Sequence, residues 1–169
     1  MQIETTNLDI YGNDPLPWSR AHAALHDFIA DPDGRAYLST CGPDGRPHTT
    51  GIGALWLDDG VYLVSGPGTR KSRNLAANPA CALAFPFDDL DLVVEGTAAI
   101  VTDPNTLERI AARYRAAGWP VEVRGHAFTA QYSAPSAGRP PWHLYYVTPH
   151  TVVGVATAEP HGATRWRLS

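Results

Sequence analysis

Short segments of alternating apolar and polar residues, each ended by turn residues, organise the chain after residue 35. Arg35 to Cys41 alternates, a Gly-Pro-Asp-Gly turn follows, and Arg46 to Leu57 forms a longer segment. Asp58-Asp59-Gly60 then leads directly into Val61 to Ser65. Such segments predict β-strands in hairpin order, because antiparallel neighbours can be joined by very few residues. The pattern therefore restricts the chain to a mainly antiparallel β architecture.

Further segments add strands and helices to this arrangement. The remaining predicted strands are Ala80 to Phe87, Leu92 to Val101, Trp142 to Val147, Thr151 to Thr157 and Ala163 to Leu168. Apolar residues at helical spacing predict a helix from Trp18 to Ala30, which Asp31 to Gly34 should end. Asp103 and Pro104 predict the start of another helix, whose apolar stripe should face the core. About six strands with inserted helices favour an antiparallel barrel over a βαβ sheet.

Length and composition favour one folded unit. The chain has 169 residues, of which 44% are hydrophobic and 18% charged, so we expect a single domain over residues 1–169. Residues 1–16 show no sustained period and are predicted to form an N-terminal arm. Residues 125–141 also lack periodicity, and long ordered loops of this kind are often binding loops. We therefore predict an active-site loop there.

The charge balance excludes several classes of partner. A net charge of -4 argues against a general nucleic-acid or membrane-surface binder. No apolar run is long enough for a membrane span and the first residues do not resemble a signal peptide, so a cytoplasmic location is expected. In such a compartment Cys41 and Cys81 should be free thiols, and no cysteine pair with zinc spacing predicts a metal site.

Residues 65–73, which we call the cationic turn, carry the clearest binding signal. They follow a predicted strand, contain Gly66-Pro67-Gly68, and lead into a short helix that Asn78-Pro79 should end. Arg70, Lys71 and Arg73 place three cations in four residues at the helix start, where free backbone N–H groups and the helix dipole favour an anion. The turn therefore suits a phosphate, with a solvated basic turn as the alternative.

Glycines in the middle of a predicted strand give a second signal. Gly51 and Gly53 lie inside the segment that leads to the cationic turn. Glycine weakens a strand, so it usually marks a bulge or a place where a backbone or flat ligand comes close. One hairpin would thus supply a flat surface and, at its end, a phosphate clamp.

Several stretches between residues 45 and 98 together resemble a known family. The resemblance rests on residues 45–56, Tyr62-Leu63-Val64-Ser65, Thr69-Arg70-Lys71-Ser72-Arg73-Asn74-Leu75, Asn78-Pro79 and Val94-Glu95-Gly96-Thr97-Ala98. In this order they resemble the pyridoxamine 5'-phosphate oxidase-like split-barrel proteins. The resemblance implies a homodimer of six-stranded antiparallel split β-barrels with FMN, the deazaflavin F420 or, in a few members, haem at the dimer interface.

The resemblance also implies which residues bind the cofactor. Ser65, Thr69, Arg70 and Lys71 would hold its phosphate, Thr50, Gly51, Ile52 and Gly53 would line its ring, and Arg165, Trp166 and Arg167 would reach it from the other subunit. The stretch Ser-Gly-Pro-Gly-Thr-Arg-Lys, residues 65–71, resembles the sequences of the F420-using branch. The closing Arg-Leu-Ala-Pro signature of the pyridoxamine phosphate oxidases themselves is not found, which argues against vitamin B6 oxidation.

The leading hypothesis is therefore an F420-dependent oxidoreductase that exchanges hydride with an electron-poor small organic molecule. An FMN-dependent oxidoreductase and a non-catalytic flavin-, F420- or haem-binding protein are the alternatives. His48, Tyr37 or water could supply a proton, and His48, His126 or His143 could bind haem iron. The aromatic residues Trp56, Trp119, Trp142 and Tyr145 could line a substrate pocket, although packing is their commoner fate.

Overall fold

Eleven strands and three α-helices make up the part of the chain that the computed structural model describes, residues 2–30 and 35–169. The strands are β1 Ile3–Asn7, β2 Ala36–Cys41, β3 Pro47–Ile52, β4 Ala54–Leu57, β5 Gly60–Ser65, β6 Ala80–Pro86, β7 Leu90–Ile100, β8 Glu122–Arg124, β9 Ala127–Thr129, β10 His143–Ala156 and β11 Ala163–Leu168. The helices are α1 Trp18–Ala30, α2 Arg70–Ala77 and α3 Pro104–Ala116, with a short 3-10 helix over Pro135–Ala137.

Nine of these strands form one sheet in which every pairing is antiparallel. The order is β1-β11-β10-β7-β6-β2-β3, and β5 joins β4 to β10. Strand β10 is central: its first half pairs with β5, its second half with β11, and β7 pairs along its other edge. The predicted antiparallel architecture is confirmed.

The chain changes its strand partner at Gly53, between β3 and β4. The segment predicted as one strand from Arg46 to Leu57 is divided there into β3, which pairs with β2, and β4, which pairs with β5. A residue without a side chain tolerates this change of partner most easily. No hydrogen-bonded pairing joins β3 to β4 in the described residues, so a closed six-stranded barrel is not confirmed. The implied homodimer stays a prediction that sedimentation would test.

Two further strand predictions need correction. The segments predicted at 142–147 and 151–157 are one strand, β10, whose register shifts between Pro149 and Thr151. A β-bulge there accommodates the proline inside the strand. Residues 3–7 of the predicted N-terminal arm are an edge strand, because β1 pairs with β11 from Ile3 opposite Leu168 to Asn7 opposite Thr164.

The helices follow the prediction closely. Thr69 caps the start of α2, Asp103 caps α3, and the two caps accept hydrogen bonds from Ser72 N–H and Thr106 N–H. Helix α1 has the predicted range, while the predicted stop at residues 31–34 lies outside the described residues. None of these helices is long and apolar enough to cross a membrane.

Buried side chains form two clusters that meet at β5. Val61 and Leu63 belong to the larger cluster, which α1 covers, whereas Tyr62 belongs to a smaller cluster with α3 and Trp142. Alternating residues of one strand face opposite sides, so β5 contributes to both. The end of β5, where the cationic turn begins, therefore lies between two packed layers.

Candidate functional site

A cluster of three hydroxyl groups organises the cationic turn. The Thr69 and Ser65 hydroxyl oxygens are 2.8 Å apart, and the Ser72 hydroxyl donates to Ser65 Oγ at 2.8 Å. The Ser72 N–H donates to Thr69 Oγ1 at 3.2 Å, which is the N-cap hydrogen bond of α2. The end of β5 and the start of α2 are thus joined by polar groups.

The three cations of the turn differ in exposure. The side chains of Arg70 and Arg73 are exposed, and Arg73 Nη1 donates to the Gly68 carbonyl at 2.5 Å. Lys71 is buried, with 2% of its surface accessible. Within residues 2–30 and 35–169 none of the three forms an ion pair, in contrast to Arg109, which binds Asp58. Their charge adds to the positive end of the α2 dipole without a carboxylate to offset it.

Residues 133–139, which we call the roof segment, cover the turn. Lys71 Nζ donates to the backbone carbonyl of Ser136, and the Gly66 N–H donates to the Ala137 carbonyl at 2.7 Å. Burial lowers the pKa of Lys71, because removing its ammonium from water favours the neutral form. The residue predicted to bind phosphate is therefore held against the roof segment by one backbone carbonyl.

A cavity of about 180 Å³ lies between the sheet and the roof segment. Ile52, Gly53 and Val64 line it from the sheet, Tyr114 and Trp119 line it from α3 and the residues after it, and Ser133, Ala134, Ser136 and Ala137 line it from the roof. The cavity thus combines two of the residues predicted to line a cofactor ring with part of the predicted loop over residues 125–141. Ser136 contacts both the cavity and Lys71.

Tyr114 is the polar residue of the cavity wall on the helix side. Its ring packs edge-on against Trp119, with centroids 5.2 Å apart, and against Phe128. Its hydroxyl oxygen is buried and has no hydrogen-bond partner in the part of the chain that the structure describes. Burial raises the pKa of Tyr114, so the hydroxyl keeps its proton and can donate it in a hydrogen bond.

The glycines predicted to admit a flat ligand have open space beside them. Among the described residues, and apart from the two chain neighbours of each glycine, a Cβ atom placed on Gly51 or Gly53 would meet no atom within 4 Å. Thr50 is half-buried, and its hydroxyl donates weakly to the Gly51 carbonyl at 3.4 Å. The backbone is therefore unobstructed at the two glycines that precede and follow Ile52 in the sequence.

The two candidate proton donors lie on the β2–β3 pair and do not line the cavity. Tyr37 is 40% exposed and stands opposite Gly51 in the register. His48 stands opposite Thr40, and its buried Nδ1 atom has no hydrogen-bond partner among the described residues. Neither contacts Lys71 through a hydrogen bond.

The three C-terminal residues that the resemblance implies as cofactor contacts differ in burial. Trp166 is fully buried, its indole packs edge-on against Trp18 with centroids 5.5 Å apart, and it belongs to the larger core cluster. Trp166 therefore lies in the core of its own subunit, and its contact with a cofactor ring stays a prediction. Arg165 is half-buried and Arg167 exposed, and β11 pairs with the half of β10 that does not contact β5. Their contact with a second subunit's cofactor stays a prediction.

The aromatic and histidine candidates also lie in different parts of the fold. Trp119 lines the cavity, whereas Trp56, Trp142 and Tyr145 are buried in the core clusters. His126 Nδ1 is 3.0 Å from the Thr102 carbonyl, outside the cavity. In residues 2–30 and 35–169 no group of three or more His, Cys, Asp or Glu side chains could hold a metal ion.

Two residues of the cavity wall, Val64 and Tyr114, lie outside every site feature that the sequence predicts. The four roof residues of the wall are predicted only as part of the loop over residues 125–141. Ser136 lies 65 residues after Lys71, so only the fold brings them together. The one available signal was the long loop over residues 125–141, to which Ser136 belongs.

Comparison with known proteins places the fold and the family. The sequence model of the family described as pyridoxamine 5'-phosphate oxidase matches residues 21–156. A pyridoxine/pyridoxamine 5'-phosphate oxidase from Acidothermus cellulolyticus is 35% identical over 80 residues, which cover 46% of this chain and 36% of that protein. One of the same name from Bacteroides thetaiotaomicron is 32% identical over 131 residues, covering 66% and 62%. The chain therefore spans about one third to two thirds of these relatives.

Solved structures with the same fold belong to proteins whose names refer to different groups. An F420 reductase has a TM-score of 0.52 at 22% identity, covering 75% of this chain and 94% of that one. A pyridoxamine 5'-phosphate oxidase-related, FMN-binding protein from Nostoc punctiforme has a TM-score of 0.58 at 18% identity, covering 89% and 90%. A heme-binding protein from Mycobacterium smegmatis has a TM-score of 0.58 at 15% identity, covering 83% and 57%. These likenesses show the fold alone, and the family model, which matches most of the sequence, shows that the chain belongs to the pyridoxamine 5'-phosphate oxidase family.

Proposed function

We propose that this protein is an oxidoreductase that binds F420 at the cationic turn and passes hydride between it and a small organic molecule. One observation carries the proposal: three cations without ion pairs among the described residues stand at the start of α2, beside a mostly apolar cavity. The turn provides charge and hydroxyl groups for a phosphate. The cavity provides a water-poor space for an uncharged reactant.

The donors present fit a phosphate group. Arg70 can bind phosphate oxygens through two N–H groups, and Thr69 and the first N–H groups of α2 add neutral donors. Lys71 would exchange the Ser136 carbonyl for a phosphate oxygen. Such an exchange is favourable, because the phosphate charge would offset the charge of the buried ammonium, which a neutral carbonyl does not.

The remaining tasks of the site belong to the strand and the roof segment. The free surface beside Gly51 and Gly53 would admit a flat ring, and Ile52 would give it an apolar contact. A bound deazaflavin or flavin ring supplies the hydride chemistry. The protein's part is to position the two reactants and to keep water from them, which the roof segment does at the cavity.

FMN is the second candidate cofactor, and the comparisons favour it. Both relatives named above are pyridoxine/pyridoxamine 5'-phosphate oxidases, and one structure of this fold belongs to an FMN-binding protein. F420 and FMN share a tricyclic ring and a phosphate, so the cationic turn suits either. The proposal of F420 rests on the resemblance of residues 65–71 to the F420-using branch.

A turnover experiment separates these possibilities. The protein would be expressed in a host without F420, purified, and mixed without oxygen with reduced F420 and a panel of enones and quinones. We expect the absorbance of oxidised F420 to appear with at least one member of the panel. Tightly retained yellow FMN would contradict the assignment of F420, and binding of either cofactor without turnover on any acceptor would contradict the assignment as an oxidoreductase.

A further inference from the structure

The roof segment is fixed to its surroundings through three consecutive backbone carbonyls. Each of them accepts a hydrogen bond from a different donor: Ser136 from Lys71 Nζ, Ala137 from Gly66 N–H at 2.7 Å, and Gly138 from Trp142 Nε1 at 2.9 Å. The last two donors are a backbone amide and a buried indole, whereas the first is the ammonium of a long side chain. Lys71 is therefore the donor for which a negatively charged ligand would compete.

We propose that the Ser136 carbonyl holds Lys71 in the absence of an anion, and that a phosphate group bound by Lys71 releases the roof segment. Binding at the cationic turn would thus make the roof segment open more often over the cavity that it covers. The inference rests on the proposed function, since it concerns the regulation of the same site. It applies to any ligand with a phosphate group and does not depend on the choice between F420 and FMN.

The burial of Lys71 means that a phosphate cannot reach its ammonium while the roof segment stays in place. Only 2% of the surface of this residue is accessible. The roof backbone also lies close to the turn, because a Cβ atom on Gly66 would be 2.8 Å from the Arg139 carbonyl oxygen. A bound phosphate therefore requires that either the roof segment or the Lys71 side chain moves, and both movements break the contact with Ser136.

Charge determines which partner Lys71 prefers. Its ammonium is removed from water and bound to one neutral carbonyl, and the lowered pKa of Lys71 reflects the cost of this burial. A phosphate would offset the positive charge, and Arg70, Thr69 and the first N–H groups of α2 can donate to its other oxygens. The exchange of the carbonyl for a phosphate is therefore favourable, and it leaves the roof segment with two of its three donors.

Competition for one ammonium couples the two events in both directions. A ligand shifts an equilibrium between two conformations only by the difference in its affinity for them. Lys71 is occupied in the closed form and free in the open form, so phosphate binds the open form more tightly and raises its population. By the same factor, the closed roof segment lowers the affinity for phosphate. Ser136 and Ala137 also line the cavity, so opening changes the access of a reactant to it.

Hydrogen exchange followed by NMR tests the coupling, with the Gly66 amide and the Trp142 indole N–H as reporters of roof opening. The probes are inorganic phosphate, F420 and FMN, each added at constant pH and at an ionic strength matched with sodium chloride. We expect exchange of both reporters to become at least about fivefold faster at saturation, the lower end of the usual coupling between two sites. The Thr157 amide, which follows the opposite end of β10 and donates to the Asp89 carbonyl, should exchange no faster.

Ligand binding that only stabilises the fold would slow exchange, so faster reporters are specific to release of the roof segment. Two variants of neighbouring cations separate the Lys71 contact from general effects of charge. Lys71→Met removes the donor to Ser136, so both reporters should exchange at least about fivefold faster without any ligand and should not respond to phosphate. Arg70→Met removes an exposed cation that, in the described chain, donates to none of the three roof carbonyls, so ligand-free exchange should stay at the wild-type rate.

The possible outcomes distinguish this inference from the proposed function. Unchanged or slower reporter exchange on binding of a probe would overturn the inference and leave the proposed cofactor binding intact. Wild-type exchange in ligand-free Lys71→Met would overturn it as well, and this measurement needs no cofactor. If inorganic phosphate binds and accelerates the reporters while neither cofactor binds, the inference holds and the proposed function fails. Binding of none of the three probes would overturn both.

Discussion

Burial determines the chemistry of several individual side chains, and Lys71 is the clearest case. Its ammonium is removed from water and paired with a single neutral carbonyl, which is a weak compensation for the lost hydration. Burial correspondingly lowers the pKa of Lys71. A phosphate at this position would compensate the charge, which supports the proposal that Lys71 binds an anion.

Cys81 gives a prediction for alkaline pH. Burial raises the pKa of its thiol from 9.0 to about 11. Between these values the unfolded chain has released the thiol proton and the folded chain keeps it, so the unfolded state binds fewer protons and stability falls as pH rises. The free energy of unfolding is therefore unaffected by this thiol below pH 9.0 and reduced by its full amount above about pH 11. The full reduction is up to about 2.5 kcal/mol.

Urea unfolding at about pH 8 and about pH 10.5 measures this contribution. The wild-type protein should lose more free energy of unfolding between the two pH values than Cys81→Ala. Cys41→Ala, which removes a half-buried thiol, serves as the control and should behave as the wild type does. Equal losses in the wild-type protein and Cys81→Ala would contradict the expectation.

Among the structural elements, the roof segment links the cationic turn to the cavity through close backbone contacts. The Ala137 carbonyl accepts from Gly66 N–H, and the Gly138 carbonyl accepts from Trp142 Nε1 at 2.9 Å. Gly138 has a φ of +75°, and a Cβ atom there would lie 2.8 Å from Thr69 Cγ2. The segment therefore depends on a glycine to approach the N-cap of α2.

Gly138→Ala should destabilise the protein and loosen the roof segment. A matched control is Gly45→Ala, since Gly45 has a φ of +76° but open space where the Cβ atom would lie. Gly45→Ala should cost about 1 to 2 kcal/mol, the cost of a positive φ for a residue with a side chain. Gly138→Ala should cost more, because its ψ of −166° lies in a region that essentially glycine alone adopts and because Thr69 must move. Urea unfolding gives the two free energies, and faster hydrogen exchange of the Gly66 amide in Gly138→Ala would report the loosening. Equal costs and unchanged exchange would show that the segment does not depend on this contact.

Across the whole molecule, local sequence signals predicted elements well and long-range contacts poorly. The cap of α3 and the Asp58-Asp59 hairpin turn are local, and they appear as expected. Strand β1 was missed because its residues are mostly polar and its partner β11 lies at the other end of the chain. Nothing near Ser136 in the sequence indicates its contact with Lys71.

The burial of Trp166 has a signal in the sequence. Thr164 and Trp166 alternate along β11 with Arg165 and Arg167, and side chains of alternate strand residues point to opposite faces. Three neighbouring residues of a strand therefore cannot all face one ligand. The alternation agrees with the structure, in which Thr164 and Trp166 are buried and Arg167 is exposed.

The most direct test of the account is the affinity of the cofactor-free protein for F420 and for FMN, with Lys71→Met beside the wild type. Methionine fills much of the lysine volume, so the buried position stays packed while the charge is removed. We predict micromolar or tighter binding of F420 by fluorescence titration, and a loss of about 1.5 to 3 kcal/mol, roughly tenfold to a hundredfold, in the folded variant. Preferential binding of FMN would show that the cofactor of this site is FMN and not F420. An unchanged affinity in folded Lys71→Met would contradict the claim that the cationic turn binds the cofactor phosphate.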